Sequence, residues 1–152
     1  MNALLGIYEN ALDANAIVAQ WYDNDKKSNF GAMIHFIGVV RAEDGIEGLS
    51  FDIYEPILTD WFENWQEKAK SQNAKVLMAH SKGDVPVHKC SYVAGVCSPS
   101  RKVALSMIDE FVEDFKKNAP IWKYDIKGGV RIYAEERSQK MEGAGLLRQS
   151  SK

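Results

Sequence analysis

Cysteine is nearly absent from this chain, and the two present, Cys90 and Cys97, lack CxxC spacing. A disulfide scaffold is therefore excluded, and the pair reads as reduced structural thiols in or beside the apolar run SYVAGVCS. Proline is scarce at 4 residues and glycine is ordinary at 11, which sets aside disordered and collagenous classes. No apolar run approaches the roughly 20 residues a membrane helix needs, and the start MNALLGIYENALDA lacks the basic opening of a secretion signal. A soluble, cytoplasmic protein that binds no membrane is expected. GxGxxG and P-loop patterns are also missing, so no nucleotide cradle is expected. Acidic residues are scattered without a convincing acid–base pair, which leaves hydrolase chemistry without an anchor.

Charge of one sign is lacking overall, with a net charge of −2 and a pI of about 5.9. That balance excludes a nucleic-acid footprint, which needs a clustered basic face. The distribution is uneven, however. Residues 1–100 hold 8 Lys/Arg against 13 Asp/Glu, and residues 101–152 hold 11 against 8. The C-terminal third is the part suited to a small anion or an acidic partner.

What is present suffices for one globular domain: 152 residues, 45% of them hydrophobic, with no internal repeat. We expect it to span residues 1–140, followed by a polar, mobile tail over 141–152. Leu4 to Tyr8 reads as a strand, and Asp13 as the N-cap of a helix through Trp21, followed by a charged linker, DNDKKSN. GAMIHFIGVVR, residues 31–41, reads as a central strand ending in a basic residue. LSFDIYE alternates as a half-exposed antiparallel strand. Pro56 opens a helix whose Leu58, Trp61, Phe62, Trp65 and Ala69 form a buried stripe. KVLMAHSKG reads as a strand, VPVHK as a separate edge-like segment, and SYVAGVCS as another strand.

Ser98 or Ser100 can cap the longest helix, which carries Val103, Met107, Phe111 and Phe115 and stops at Pro120. IWKYDI and RIYAEE, joined by KGGV, read as a closing hairpin. Hairpin signals are frequent among alternating strands and helices, so the expected fold is α+β, mainly antiparallel sheet packed with helices.

The segment KKNAPIWK, residues 116–123, is the most informative about chemistry. The plain explanation of Lys116 and Lys117 is that cations at a helix C-terminus favour the macrodipole. Against it stands local geometry. A helix end that folds straight into a strand beside an aromatic can hold two of the ammonium groups of this segment near one another. Each then lowers the other's pKa and partial burial by Trp122 acts in the same direction, making one lysine a usable nucleophile or general base. Arg41 at a strand end, Arg101 in a first helical turn and Arg137 after the closing strand are candidate anion ligands. Arg101 opposes the helix dipole, so it is expected to face an anion or a neighbouring chain. Arg101 and Lys116 stand 15 residues apart on one helix, roughly 22 Å at 1.5 Å per residue. If both serve one site, that site is built across a homodimer interface.

GVVR at 38–41, HSKGD at 80–84, AGVCSPSRKVAL at 94–105 and KKNAPIWK at 116–123, in this order and spacing, resemble the large, catalytic subunit of molybdopterin synthase over about residues 30–140. The resemblance implies an α/β-hammerhead-like fold with an added small β subdomain. It implies an enzyme that moves sulfur from the Gly-Gly thiocarboxylate of a ubiquitin-like small subunit to cyclic pyranopterin monophosphate, within a heterotetramer built on a homodimer. By position Lys116 and Lys123 match the family's catalytic lysines. Arg41, Arg101 and Arg137 match its anion-binding arginines, with Arg101 supplied by the other chain. The family often has His where this chain has Ser100, a hydroxyl that can donate to a phosphate but cannot act as an imidazole acid or base.

No cofactor or metal is expected, because sulfur arrives already activated on the partner. His80, His88 and Cys90 match no closed tetrahedral zinc set. His35, inside an apolar strand, is expected in the core or a pocket wall. Two rival readings are a non-catalytic adaptor that grips a ubiquitin-like tail, and a persulfide carrier using Cys90 or Cys97.

Overall fold

The structure, a computed structural model, describes residues 4–134; Arg137 and the tail expected over 141–152 lie outside them. In chain order the elements are β1 (Leu5–Glu9), α1 (Ala14–Asp25), β2 (Ala32–Val39), β3 (Gly48–Ile53), α2 (Glu55–Lys70), β4 (Lys75–Pro86), β5 (Cys90–Ser98), α3 (Arg101–Asn118), β6 (Ile121–Lys127) and β7 (Val130–Tyr133). The strands form one sheet in the order β2-β5-β4-β3-β6-β7, every pair antiparallel except β1, which runs parallel to β4. This is the expected α+β arrangement.

Strand β4 joins the two parts of the sheet. Lys75 to His80 pair with β5, and Gly83 to Pro86 pair with β3. The sequence reading broke this strand before VPVHK because Pro86 cannot donate to a ladder. In the structure Pro86 is the strand's last residue, where that loss costs little. Gly83 sits at the changeover with φ +83°, a backbone state glycine tolerates without strain.

Alternation along β4 and β5 sorts the core into two layers, because successive side chains point to opposite faces. Val76, Met78, Ala94 and Val96 face α2 and α3, where Leu58, Phe62, Met107 and Phe111 are buried. Ala79 and Val93 face the other way, against Leu12 and the partly buried Ile17, Val18 and Trp21 of α1. The helical stripes foreseen in α2 and α3 are thus core. Helix α1 runs past Trp21 to Asp25, correcting the linker expected from Asp23. The extra turn buries Asp25, whose carboxylate meets the Lys75 ammonium at 2.7 Å.

Local chemistry sets the ends of each helix. Asp13 caps α1 by accepting from the Ala16 N–H at 3.1 Å, and Pro56 lies in the first turn of α2. Ser100 caps α3, its hydroxyl oxygen accepting from the Val103 N–H at 3.4 Å. At the far end Ala119 leaves the helical conformation, Pro120 follows, and the chain enters β6 directly. The β6–β7 hairpin closes through Gly128 and Gly129, both at positive φ (57° and 74°), as a two-residue turn of this hand requires.

Candidate active site

The abrupt passage from α3 to β6 leaves Lys116 in the last helical turn and Lys123 three residues into the strand. Both line one cavity of about 430 Å³, and so does Arg41, two residues beyond β2. The structure therefore brings together three of the six residues singled out above. Ser100 and Arg101 stand at the opposite end of α3 and do not line this cavity. That agrees with the helix length that separates Arg101 from Lys116.

Apolar rings make the wall behind these cations. Phe51 of β3 pairs directly with Lys123 of β6 in the sheet register, and Phe115 precedes Lys116. Tyr92 stacks on Phe115 with ring centres 4.1 Å apart and nearly parallel, and Phe36 lies 5.9 Å from Tyr92. The β2–β5 register shifts between Gly38 and Val39, so Ser91 has no partner opposite. Such bulges re-aim side chains, and Gly38, Val39, Ser91 and Tyr92 all line the cavity.

Trp122 requires a correction. It was expected to desolvate a lysine, but it lies opposite Asp52 in the register and is absent from the cavity lining. Neighbouring residues of a strand face opposite sides, so a tryptophan beside Lys123 in sequence cannot share its face. The apolar surface that shares the cavity with Lys123 is formed by Phe51, Tyr92, Phe115 and Ile121 instead.

The electrostatic balance favours an anion. Among the described residues, Arg41, Lys116 and Lys123 face a single lining carboxylate, Glu43, which meets the Arg41 guanidinium at 3.2 Å. Arg41 is 81% exposed in that pair, and exposed ion pairs contribute little. An incoming phosphate or carboxylate can therefore compete for the guanidinium fork at small cost.

His80, considered above only as a zinc candidate, lines the cavity and is buried. Burial pulls its pKa down to about 4, a backbone hydrogen bond to Ser81 opposes that, and the Lys123 charge adds to the lowering. The signal that could have found it is the alternation of KVLMAHS, which puts His80 on the same face as Val76 and Met78. Tyr92 was likewise missed as a site residue. Its hydroxyl is buried with no hydrogen-bond partner among the described residues, and burial raises its pKa.

The remaining candidates fall elsewhere. His35 is half-buried beside Trp21, with ring centres 5.9 Å apart, and its pKa is lowered by burial. His88 occupies a turn at φ +72°. Among the described residues no group of three or more His, Cys, Asp or Glu side chains is placed to hold a metal ion. Cys90 and Cys97 are free and buried, and burial raises both thiol pKa values, Cys97 to about 11. A buried thiol kept protonated is a poor sulfur nucleophile. No helix among the described residues is long and apolar enough to cross a membrane.

Comparison with known proteins adds a family to this geometry. Residues 7–118 match the family described as MoaE protein. The chain is 47% identical to the molybdopterin synthase catalytic subunit of Helicobacter pylori, over 95% of this chain and 99% of that protein. A solved complex of subunits 1 and 2 of molybdopterin-converting factor from Helicobacter pylori contains a chain that superposes with a TM-score of 0.90. It has 48% identity over 95% of this chain and 99% of that one. Molybdopterin synthase from Staphylococcus aureus, at 20% identity over 88% of this chain and 98% of that one, shares the fold with a TM-score of 0.74.

Proposed function

This chain belongs to the MoaE protein family, and on that premise we propose that it is a molybdopterin synthase catalytic subunit acting as a sulfurtransferase. In this reading it takes sulfur from the thiocarboxylated C-terminus of a ubiquitin-like small subunit and passes it to cyclic pyranopterin monophosphate, forming the dithiolene. The observation that carries it is the convergence of Arg41, Lys116 and Lys123 on one aromatic-walled cavity. The Helicobacter pylori relative, solved as a complex of its two subunits, supports a protein partner of this kind.

Each group has a task that its chemistry suits. The guanidinium of Arg41 matches a phosphate or carboxylate with a two-pronged fork. Releasing sulfur from an acyl carbon passes through a tetrahedral intermediate whose oxygen becomes anionic. A neighbouring ammonium stabilises that charge, and the apolar rings of Phe51 and Phe115 in the cavity wall strengthen the interaction once a bound substrate covers them. Of Lys116 and Lys123, one is then the cation that steadies the oxyanion and the other the group that moves protons. A glycine-ended tail has no side chains to clash with the rings that wall the cavity. Arg101, Ser100 and Arg137 complete the phosphate site in this proposal, Arg101 and Ser100 reaching it from the second chain of a homodimer at the centre of a heterotetramer.

The test is reconstitution. Purified protein, thiocarboxylated small subunit and the pterin precursor are expected to yield dithiolene product while the small subunit's terminus returns to carboxylate. Binding of the small subunit without any product would establish the adaptor reading instead. Activity that survives replacement of both Cys90 and Cys97 by alanine disposes of the persulfide carrier.

A further inference from the structure

His80 lines the cavity without a task in the chemistry above. Its Nδ1 lies 2.7 Å from the carbonyl oxygen of Ser81, and a carbonyl only accepts, so Nδ1 carries the proton. With the ring neutral, Nε2 at the tip of the side chain is left with an accepting lone pair. The ring cannot turn away from this arrangement easily. Phe51 meets it edge-on at 4.9 Å and 84°, and Phe115 lies 5.5 Å away on the other element.

Phe51 is also the direct cross-strand partner of Lys123, so His80 and Lys123 flank the same ring. Among the described residues, Lys123 from β6, Lys116 from α3, Arg41 and Glu43 from the chain after β2, and the Tyr92 phenol from β5 are the titratable or charged groups that share the cavity with His80. Beside the rings of Phe51, Tyr92 and Phe115, a neutral acceptor suits an ammonium better than a carboxylate would. A carboxylate here would orient Lys123 but cancel the positive charge that an anionic substrate needs, whereas imidazole orients without cancelling.

We propose that His80 is a positioning residue for sulfur transfer, its Nε2 lone pair accepting a hydrogen bond from the Lys123 ammonium and aiming that ammonium into the cavity. The inference rests on the reading of Lys123 as a reacting group, but the contact itself can be examined without turnover. In 15N spectra of the free protein, His80 is expected in the Nδ1-protonated form at neutral pH, with an Nε2 resonance that moves in Lys123→Ala. In the reconstituted reaction, His80→Phe keeps the ring's shape and removes the acceptor. Single-turnover transfer is expected to slow by about tenfold with small-subunit affinity unchanged, and the alkaline limb of the pH profile to shift to lower pH, because an ammonium without its acceptor loses its proton more easily. His80→Gln, whose amide can restore an acceptor near the Nε2 position, is expected to recover part of the rate. An Nε2 resonance that is identical with and without Lys123, or a wild-type rate from His80→Phe, would overturn the proposal. Failure of the wild-type protein to transfer sulfur would count against the proposed function instead, and the 15N comparison would still decide the His80–Lys123 contact.

Discussion

Lys116 and Lys117 are adjacent in the last turn of α3, yet they stand over different ground. Successive helical residues are rotated by about 100°, so Lys116 faces the aromatic-walled cavity while Lys117 faces a groove between α2 and α3. Among the described residues lining the cavity, three cations meet one carboxylate. In the groove Lys68 and Lys117 meet Glu110, Glu113 and Asp114, and Asp114 is itself engaged by the indole N–H groups of Trp61 and Trp65 at 2.9 and 2.7 Å. Both lysines satisfy the helix dipole. That explanation is sufficient for Lys117, whose surroundings already compensate its charge. It leaves Lys116 over, at a cavity where cations outnumber carboxylates among the described residues, and an excess of positive charge is what an anionic substrate can use.

The largest effect expected from breaking this contrast falls on the cavity side. Lys116→Ala and Lys123→Ala should each lower sulfur transfer by about a thousandfold, the size of a lost proton-transfer or oxyanion-stabilising group, while thermal unfolding stays near wild type. Mixing Arg101→Ala chains with Lys116→Ala chains should restore up to about a quarter of the wild-type activity. Half of the randomly formed dimers are then mixed, and each mixed dimer rebuilds one of two composite sites. Continued inactivity of the mixture would overturn the supply of Arg101 from the second chain, and full activity of Arg101→Ala alone would place that residue outside the site.

Acid should weaken the cavity side next. The His80 pKa is about 4 in the folded protein against 6.5 for an ordinary histidine. Below 6.5 the unfolded chain takes up a proton that the buried ring refuses, so this residue lowers stability as pH falls towards 4 and contributes nothing above that window. The expected slope is about 1.4 kcal/mol per pH unit. Urea unfolding between pH 7 and 4.5 checks it, since His80→Phe should lack that share of the acid sensitivity.

Most of the fold was legible because it rests on period. The 3–4 spacing of Leu58, Phe62, Trp65 and of Met107, Phe111, Phe115 marked two core helices, and Gly128-Gly129 marked the hairpin. What stayed hidden depended on register. Trp122 looked like a neighbour of Lys123 until β6 was paired with β3. The capture of Asp114 by two indoles joins residues 49 and 53 positions apart, which no local pattern announces. The same holds for the site. Arg41, Lys116 and Lys123 were found by charge at element ends and by resemblance, whereas His80 needed the sheet to place it beside Phe51 and Phe115.

On the groove side the expected effects are structural and smaller. Asp114→Ala leaves the Trp61 and Trp65 indole donors without their acceptor, at a cost of about 1–3 kcal/mol, measurable as a lowered unfolding midpoint with sulfur transfer per folded molecule unchanged. Lys117→Ala is the finest probe of the comparison. It removes the same charge from the same helical turn as Lys116→Ala, so any loss through the macrodipole should be common to both, within about 1 kcal/mol of stability. If cavity placement is what matters, Lys117→Ala should keep transfer within about twofold of wild type, as surface substitutions away from a site do. A loss as large as that of Lys116→Ala would mean that the helix end acts through its summed charge, and the distinction between the two faces of α3 would fail.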